Sequence, residues 1–182
     1  MIHDDEIFTQ DVYRLNHLKL APGWIVDLGS NTGAFVARCR QLFTNPILSV
    51  EANPAFAGYS GADHEISAAI GWRLGPRYLK LNHTNPGGSA LVSEGGIEVE
   101  GITFAEISEI ADPIALLKVD IEGSEYELPW EAMHRVDRIA CEFHERGPGA
   151  LGYLLERLLT SHHVEIFGHP GRGGYFFAHR YP

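Results

Sequence analysis

The sequence is short of cations. Fourteen Lys and Arg stand against 24 Asp and Glu, a formal net charge of −10 over 182 residues. No run of basic residues offsets that excess. Nucleic acid is bound by neutralising its phosphates with Lys and Arg, so no nucleic-acid partner is expected. Cysteine is almost absent too. Cys39 and Cys141 fall in a helix pattern and a strand pattern. Both read as small buried apolar groups, which predicts a reduced, cytoplasmic chain. No apolar run approaches the ~18 residues of a membrane span. The first residues, Met1-Ile-His-Asp-Asp-Glu6, are acidic and lack an apolar core. Neither a signal peptide nor a membrane partner is therefore expected. The ten histidines include no H-E-x-x-H pair, the spacing that puts two imidazoles on one helix face. No internal repeat is visible. The length predicts one domain, 1–182, with a partly helical leader over 1–20 and a core over 21–182.

Where apolar residues do run together, they end in acids. Ile114-Ala-Leu-Leu-Lys-Val119 leads into Asp120, Glu122 and Glu125, three carboxylates within six residues. Such a run predicts a strand buried on both faces of a parallel sheet. Carboxylates at its end are costly to bury without partners. In an open α/β sheet the carboxyl ends of strands are where ligands bind. Ser124 and Glu127 also fit a capping box, S-x-x-E. That would explain Ser124 but not Asp120 or Glu122.

Two upstream segments repeat the theme. Trp24-Ile-Val-Asp-Leu-Gly-Ser-Asn-Thr-Gly33 is a strand entering a glycine turn. Phe35, Cys39 and Leu42 then follow at helical spacing. Glycines at 29 and 33 allow a sharp turn and a close approach to a ligand. The dinucleotide fingerprint G-x-G-x-x-G is missing. Asn31 stands where its second glycine would be, which counts against a nicotinamide oxidoreductase. Further on, Ile47-Leu-Ser-Val-Glu51 is a strand with an acid at its tip. A carboxylate there accepts hydrogen bonds from ribose hydroxyls; a surface acid is the plainer alternative.

Together these segments resemble the FkbM-type family of class I S-adenosylmethionine (SAM)-dependent methyltransferases. The matching motifs are Val26-Asp-Leu-Gly-Ser-Asn-Thr-Gly33, Glu51-Ala-Asn-Pro54 and Lys118-Val-Asp-Ile-Glu-Gly-Ser-Glu125. The resemblance continues weakly through Ser67-Ala-Ala-Ile-Gly71, Gly88-Ser-Ala-Leu91 and Glu142-Phe-His-Glu145. It implies a Rossmann-like α/β sandwich, mostly parallel, with a C-terminal antiparallel hairpin strand. It implies SAM as cofactor and S-adenosylhomocysteine as product. Asp27, Gly29, Asn31 and Gly33 would hold the methionine part. Glu51 would take the ribose, with Ala52 beside it in the cofactor site, and Ser67 and Ala68 would border the adenine. The acceptor implied is a hydroxyl on a small molecule, sugar or other natural product; the sequence does not identify it, nor the oligomeric state.

The rest of the pattern fits that architecture. Strands are predicted near 24–28, 47–51, 65–70, 77–81, 114–119 and 138–144. The connection from Ala55 to His64 is short for a parallel crossover, which needs a dozen residues or more, so its helix is expected to be trimmed to a turn or two. Pro86-Gly-Gly-Ser89 and Glu94-Gly-Gly96 read as turn clusters in a loop. Thr103 and Glu106 form a capping box ahead of a stripe of Phe104, Ile107 and Ile110. Pro129 lacks the amide a helix interior needs, so a short turn from Ser124 and a restart at Pro129 are expected. Leu151, Leu154, Leu155, Leu158 and Leu159 lie at helical spacing. Val164–Phe167 and Tyr175–Ala178 flank a glycine-rich loop and read as a hairpin. His162 and His163 follow a helix, whose end carbonyls they could meet.

Transfer of a methyl group to an alcohol needs somewhere for the proton to go. Asp120, Glu122 and His144 are the candidates. Histidine, near its ordinary pKa at neutral pH, is the best match for a general base. An ordinary strand-end histidine is the alternative. Glu142 and His144 alternate and so share a face. Asp120, Glu142 and His144 could therefore converge and offer oxygen and imidazole ligands to a divalent metal. Lys118 or Arg146 would satisfy the same carboxylates without one. A non-catalytic SAM-binding or interaction module is the remaining reading, because the chain is short for the family.

Overall fold

The segment that ends in a glycine turn, 24–28, lies between the two that end in acids, 47–51 and 114–119, in the computed structural model, which describes residues 2–71, 76–82, 88–144, 146–147, 149–169 and 173–182. In chain order, α1 (Ile2–Phe8) and a single 3-10 turn (Leu15–His17) precede β1 (Trp24–Leu28), α2 (Ala34–Leu42) and β2 (Ile47–Glu51). Short strands follow: β3 (His64–Ser67), β4 (Ala69–Gly71), β5 (Arg77–Lys80), β6 (Ala90–Val92), β7 (Ile97–Val99) and β8 (Gly101–Thr103). Next come α3 (Phe104–Ile110), β9 (Ile114–Val119), and 3-10 turns at Glu125–Glu127 and Trp130–Arg135. β10 (Arg138–Phe143), α4 (Ala150–Leu158), β11 (His162–His169) and β12 (Gly173–Arg180) complete the chain.

The main sheet has seven strands in the order β11-β12-β10-β9-β1-β2-β3. β3, β2, β1, β9 and β10 pair in parallel, and β12 runs antiparallel between β10 and β11. Parallel strands bury both faces, and every residue of β9 is buried. That includes Lys118, which sits beside Asp27 of β1 in the strand register. Apolar packing divides across the sheet. Trp130, Met133, Leu154 and Leu158 cover one face, and Phe35, Val36 and Cys39 the other. Each large side chain so buried contributes roughly 1.5–3 kcal/mol. Both cysteines are free and buried. Among the described residues, no helix is long and apolar enough to cross a membrane.

Several expectations need correction. The strand expected over 65–70 breaks at Ala68. β2 ends at Glu51, where its carbonyl accepts from the Ala68 amide at 3.0 Å. Beyond that the chain has no partner in the sheet and pairs instead with β8. A three-stranded antiparallel sheet, β6-β5-β7, was hidden in the glycine-rich stretch. The turn at Glu94-Gly-Gly96 joins two of its strands, whereas residues 83–87, including Pro86 and Gly87 of the other cluster, lie outside the described residues. The crossover from β2 to β3 contains turns and no helix. In α3, Thr103 and Glu106 form the reciprocal capping box, but Ile110 is exposed and Ala111 takes its place in the core. Leu42 and Leu159 are likewise too near their helix ends to be buried. The interruption at Pro129 is present, as the N-cap of the second 3-10 turn. His162 does not meet the end of α4: its Nε2 lies 2.9 Å from the carbonyl of Val136, an extended residue after the second 3-10 turn. The 1–20 stretch is not peripheral, because Ile7, Tyr13 and Leu15 are buried against Phe35, Ile25 and Leu116.

Candidate active site

The ends of β1, β2 and β9 border a cleft of about 970 Å³, including the solvent at its mouth. Its floor is the glycine turn after β1. Gly29 has φ +83, and a Cβ there would lie 1.8 Å from the Asp120 carbonyl oxygen. The turn after β1 and the turn after β9 thus touch through backbone, which only glycine permits. Gly33 has a different role from the one expected. It does not line the cleft. It is the left-handed N-cap of α2, and a Cβ there would meet the Ser60 backbone at 2.6 Å. Chain packing alone requires a glycine there.

Asp27 is also displaced from its expected role. It is fully buried and lies behind the cleft, 3.1 Å from Lys118 Nζ. Burial pushes its carboxyl pKa up, against the pull of Lys118. The Lys118 amine donates to Gly29 O at 2.7 Å and lies 3.6 Å from Asp120 Oδ2. Burial alone would lower its pKa, but Asp27 and Asp120 outweigh that and raise it. Lys118 therefore stays charged and ties both turns together. Asp27 thus touches the turn through Lys118.

Glu51 reaches the cleft from the tip of β2. Its Oε2 accepts from the Asn31 amide and its Oε1 from the Asn53 amide, each at 2.7 Å. Burial raises its pKa against those two hydrogen bonds. A carboxylate oxygen has two acceptor sites, so each can also accept from a hydroxyl. Beside it, Ala52, Phe56, Ala68 and Ile70 form an apolar wall. Ser67, by contrast, is exposed and faces away: it is the last paired residue of β3, and alternation puts Ala68 inside. A glycine turn, a carboxylate at a strand tip and an apolar slot fit the parts of SAM: amino-acid chain, ribose and adenine.

At the other end lie Asp120, Glu122 and His144. One donor atom from each falls within 4.8 Å of the others. His144 Nε2 is 3.3 Å from Glu122 Oε2, and its Nδ1 is 3.1 Å from Glu125 Oε1. The Glu125 hydrogen bond, followed by the nearby carboxylates, raises the His144 pKa to about 9. Burial pushes Glu122 up to about 7. Near pH 7 these values leave the imidazole a protonated donor and Glu122 close to its midpoint. Glu142 does not join the compact set. It hydrogen-bonds Tyr175, and burial and Asp120 push it up to about 7. The metal candidates therefore exchange Glu142 for Glu122. In the structure these donors are met by protein groups. Tyr13 Oη donates to Asp120 Oδ2 at 3.0 Å, Lys118 approaches the same oxygen, and His144 meets Glu122.

Other contributors carried no local signal. Glu6, Ile7 and Tyr13 form one wall, and Leu79 and Leu91 of the three-stranded sheet form part of another. Tyr13 is buried by tertiary packing alone, and no motif surrounds it. The expected cap at Ser124 is absent: its side chain caps no amide, and its Oγ is buried without a partner.

No family model and no curated protein matches this chain. Solved structures do. Precorrin-6y C5,15-methyltransferase from Geobacter metallireducens aligns at TM-score 0.54 with 13% identity, over 96% of this chain and 90% of that one. A Streptococcus mutans protein described as a SAM-dependent methyltransferase aligns at TM-score 0.50 with 9% identity, over 93% and 48%. A TehB-like SAM-dependent methyltransferase from Corynebacterium glutamicum aligns at 0.48 with 12% identity, over 93% and 86%. The fold is the Rossmann-like α/β fold of class I SAM-dependent methyltransferases, with mostly parallel strands and an antiparallel C-terminal hairpin.

Proposed function

We propose that this chain is a SAM-dependent O-methyltransferase of the FkbM type, acting on a hydroxyl of a small molecule, sugar or other natural product. The carrying observation is the set Asp120, Glu122 and His144 at the acceptor end of a cleft whose other end suits SAM. Bound SAM would supply a methyl group already activated by a positive sulfur. The protein's share is alignment, a contribution of up to ~7–11 kcal/mol in favourable cases. The Gly29 and Asn31 carbonyls offer acceptors to the amino-acid end, and Glu51 accepts from ribose hydroxyls. Glu122 takes the acceptor's proton, and protonated His144 orients Glu122 through the 3.3 Å contact. Asp120 is held by Tyr13 and Lys118 at the boundary between the two ends.

The Asn31 amide is already committed to Glu51, which argues against a pyrophosphate in its place. The net charge of −10 supports a small acceptor in preference to nucleic acid. A cytoplasmic setting belongs to the same reading and is supported by two unpaired thiols. Calorimetry with SAM, S-adenosylhomocysteine and NAD is the first test, followed by product mass after incubating labelled SAM with pooled hydroxyl compounds. Binding of SAM but not NAD, with methylated oxygen in the product, is expected. NAD binding overturns the reading. SAM binding without turnover on any acceptor makes the chain a binding module.

A further inference from the structure

We propose that Glu125 is the positioning residue of the acceptor end: one buried carboxylate that holds both the 120–123 turn and the His144 ring in working geometry. The inference rests on the methyltransferase reading above. Glu125 is fully buried, 0% exposed. Its Oε1 accepts from the Ile121 amide at 3.2 Å and the Gly123 amide at 3.1 Å. The same oxygen lies 3.1 Å from His144 Nδ1. One atom thus fixes the backbone that carries Asp120 and Glu122 and the ring that faces Glu122.

The turn needs such a hold. Glu122 has φ +52, a left-handed conformation that residues with a Cβ rarely adopt. It persists only where the surroundings over-determine it. Glu125 is itself anchored from behind. Its carbonyl accepts from Trp130 Nε1 at 2.8 Å, and Trp130 is packed against Phe176. The next residue, Tyr126, donates through Oη to the His144 carbonyl at 2.8 Å. Consecutive residues therefore grip His144 at the ring and at the backbone. With Nδ1 held by Glu125, Nε2 points to Glu122. A buried carboxylate orienting an imidazole through one nitrogen fixes which nitrogen is left to act. The acidic groups acting on the ring are Glu125, Glu122 and Asp120, with Glu142 close by on β10.

A purely structural Glu125 would do no more than cap a turn. The two roles separate in Glu125→Gln, which keeps the shape and removes the charge. The first readout is the His144 imidazole titration by NMR in the ligand-free protein. Positioning predicts a fall of at least one pH unit from the wild-type midpoint. The second is turnover: kcat should drop roughly 100-fold, the scale of a small misplacement, while KM for SAM stays within about twofold. An unchanged His144 midpoint with unchanged kcat overturns the proposal. If Glu125→Gln fails to fold, Glu125→Asp keeps the charge and shortens the reach. It should then lower both the His144 midpoint and kcat, and wild-type values in both would again overturn the proposal. Failure of the methyltransferase reading shows separately, as wild-type protein that does not bind SAM. The His144 titration then decides the Glu125–His144 geometry by itself.

Discussion

The two ends of the cleft are built by different means. The end proposed for the cofactor is backbone: a glycine turn, amides held by Glu51, and the tips of two strands. The end proposed for the acceptor is a mesh of side chains in which His144, Glu122, Glu125, Asp120, Tyr13 and Lys118 contact one another, with Glu125 Oε2 buried and unpaired. Backbone sites follow from where strands stop, so they tolerate change at most positions except the glycine. Side-chain meshes depend on every member, and the loss of one leaves another buried and unpaired. The acceptor end should therefore respond to mutation in turnover, and the cofactor end in binding.

Gly29→Val tests the backbone half most severely. Its Cβ would overlap the Asp120 carbonyl oxygen at a positive φ. We expect lost SAM binding together with destabilisation on the order of 3 kcal/mol or more, read by calorimetry and thermal unfolding. A folded, SAM-binding variant would mean the two turns are not locked. Glu122→Gln and His144→Gln test the mesh. Each should cut turnover by ~10²–10⁴-fold with SAM affinity nearly unchanged, measured on the same preparations; a parallel loss of affinity would erase the division between the ends. Glu51→Ala should weaken SAM binding by ~1–3 kcal/mol, and an unaltered calorimetric constant would remove the ribose assignment. Ser67→Ala, at an exposed position outside the cleft, should shift neither binding nor stability by more than ~0.5 kcal/mol.

The pH profile sharpens the same contrast. Glu122 must lose its proton to act as base, and burial places that step near 7. His144 must keep its proton to orient Glu122, and Glu125 holds it to about 9. Turnover should rise through about 7 and fall through about 9, the limbs belonging to the coupled cluster and not to single residues. His144→Gln should lose the alkaline limb. Because the folded His144 pKa lies above its ordinary value, its pairing stabilises the protein fully below ~6.5 and is lost as pH rises through about 9. SAM binding should show neither limb.

The same contrast explains what the sequence disclosed. Glu51 and Gly29 were legible because a strand run ending in an acid or a glycine turn is a local pattern. Asp120 and Glu122 were legible as a cluster, but their division of labour was not. It depends on Glu125 meeting His144 across nineteen positions of chain, which no spacing records. Asp27 and Gly33 belong to the recognised motif yet sit behind the cleft, because a motif records which residues occur together and not which face they present. Tyr13 was invisible for the opposite reason: it is buried against Phe35, Asp120 and Tyr175, all far from it in sequence. Ser67 failed by a single position, since alternation along β3 turns it out and Ala68 in.

Lys118 gives the two halves a common equilibrium. One amine holds the Gly29 carbonyl and draws on Asp120. An acceptor that draws Asp120 away from this amine is expected to change its hold on the glycine turn as well, which predicts coupled occupancies. The chain should behave as a two-ligand system with a coupling factor, read by titrating S-adenosylhomocysteine with and without saturating acceptor; a factor of one would show that the amine transmits nothing. Linkage fixes the rest: by whatever factor the nucleoside changes the affinity for acceptor, the acceptor changes the affinity for nucleoside equally.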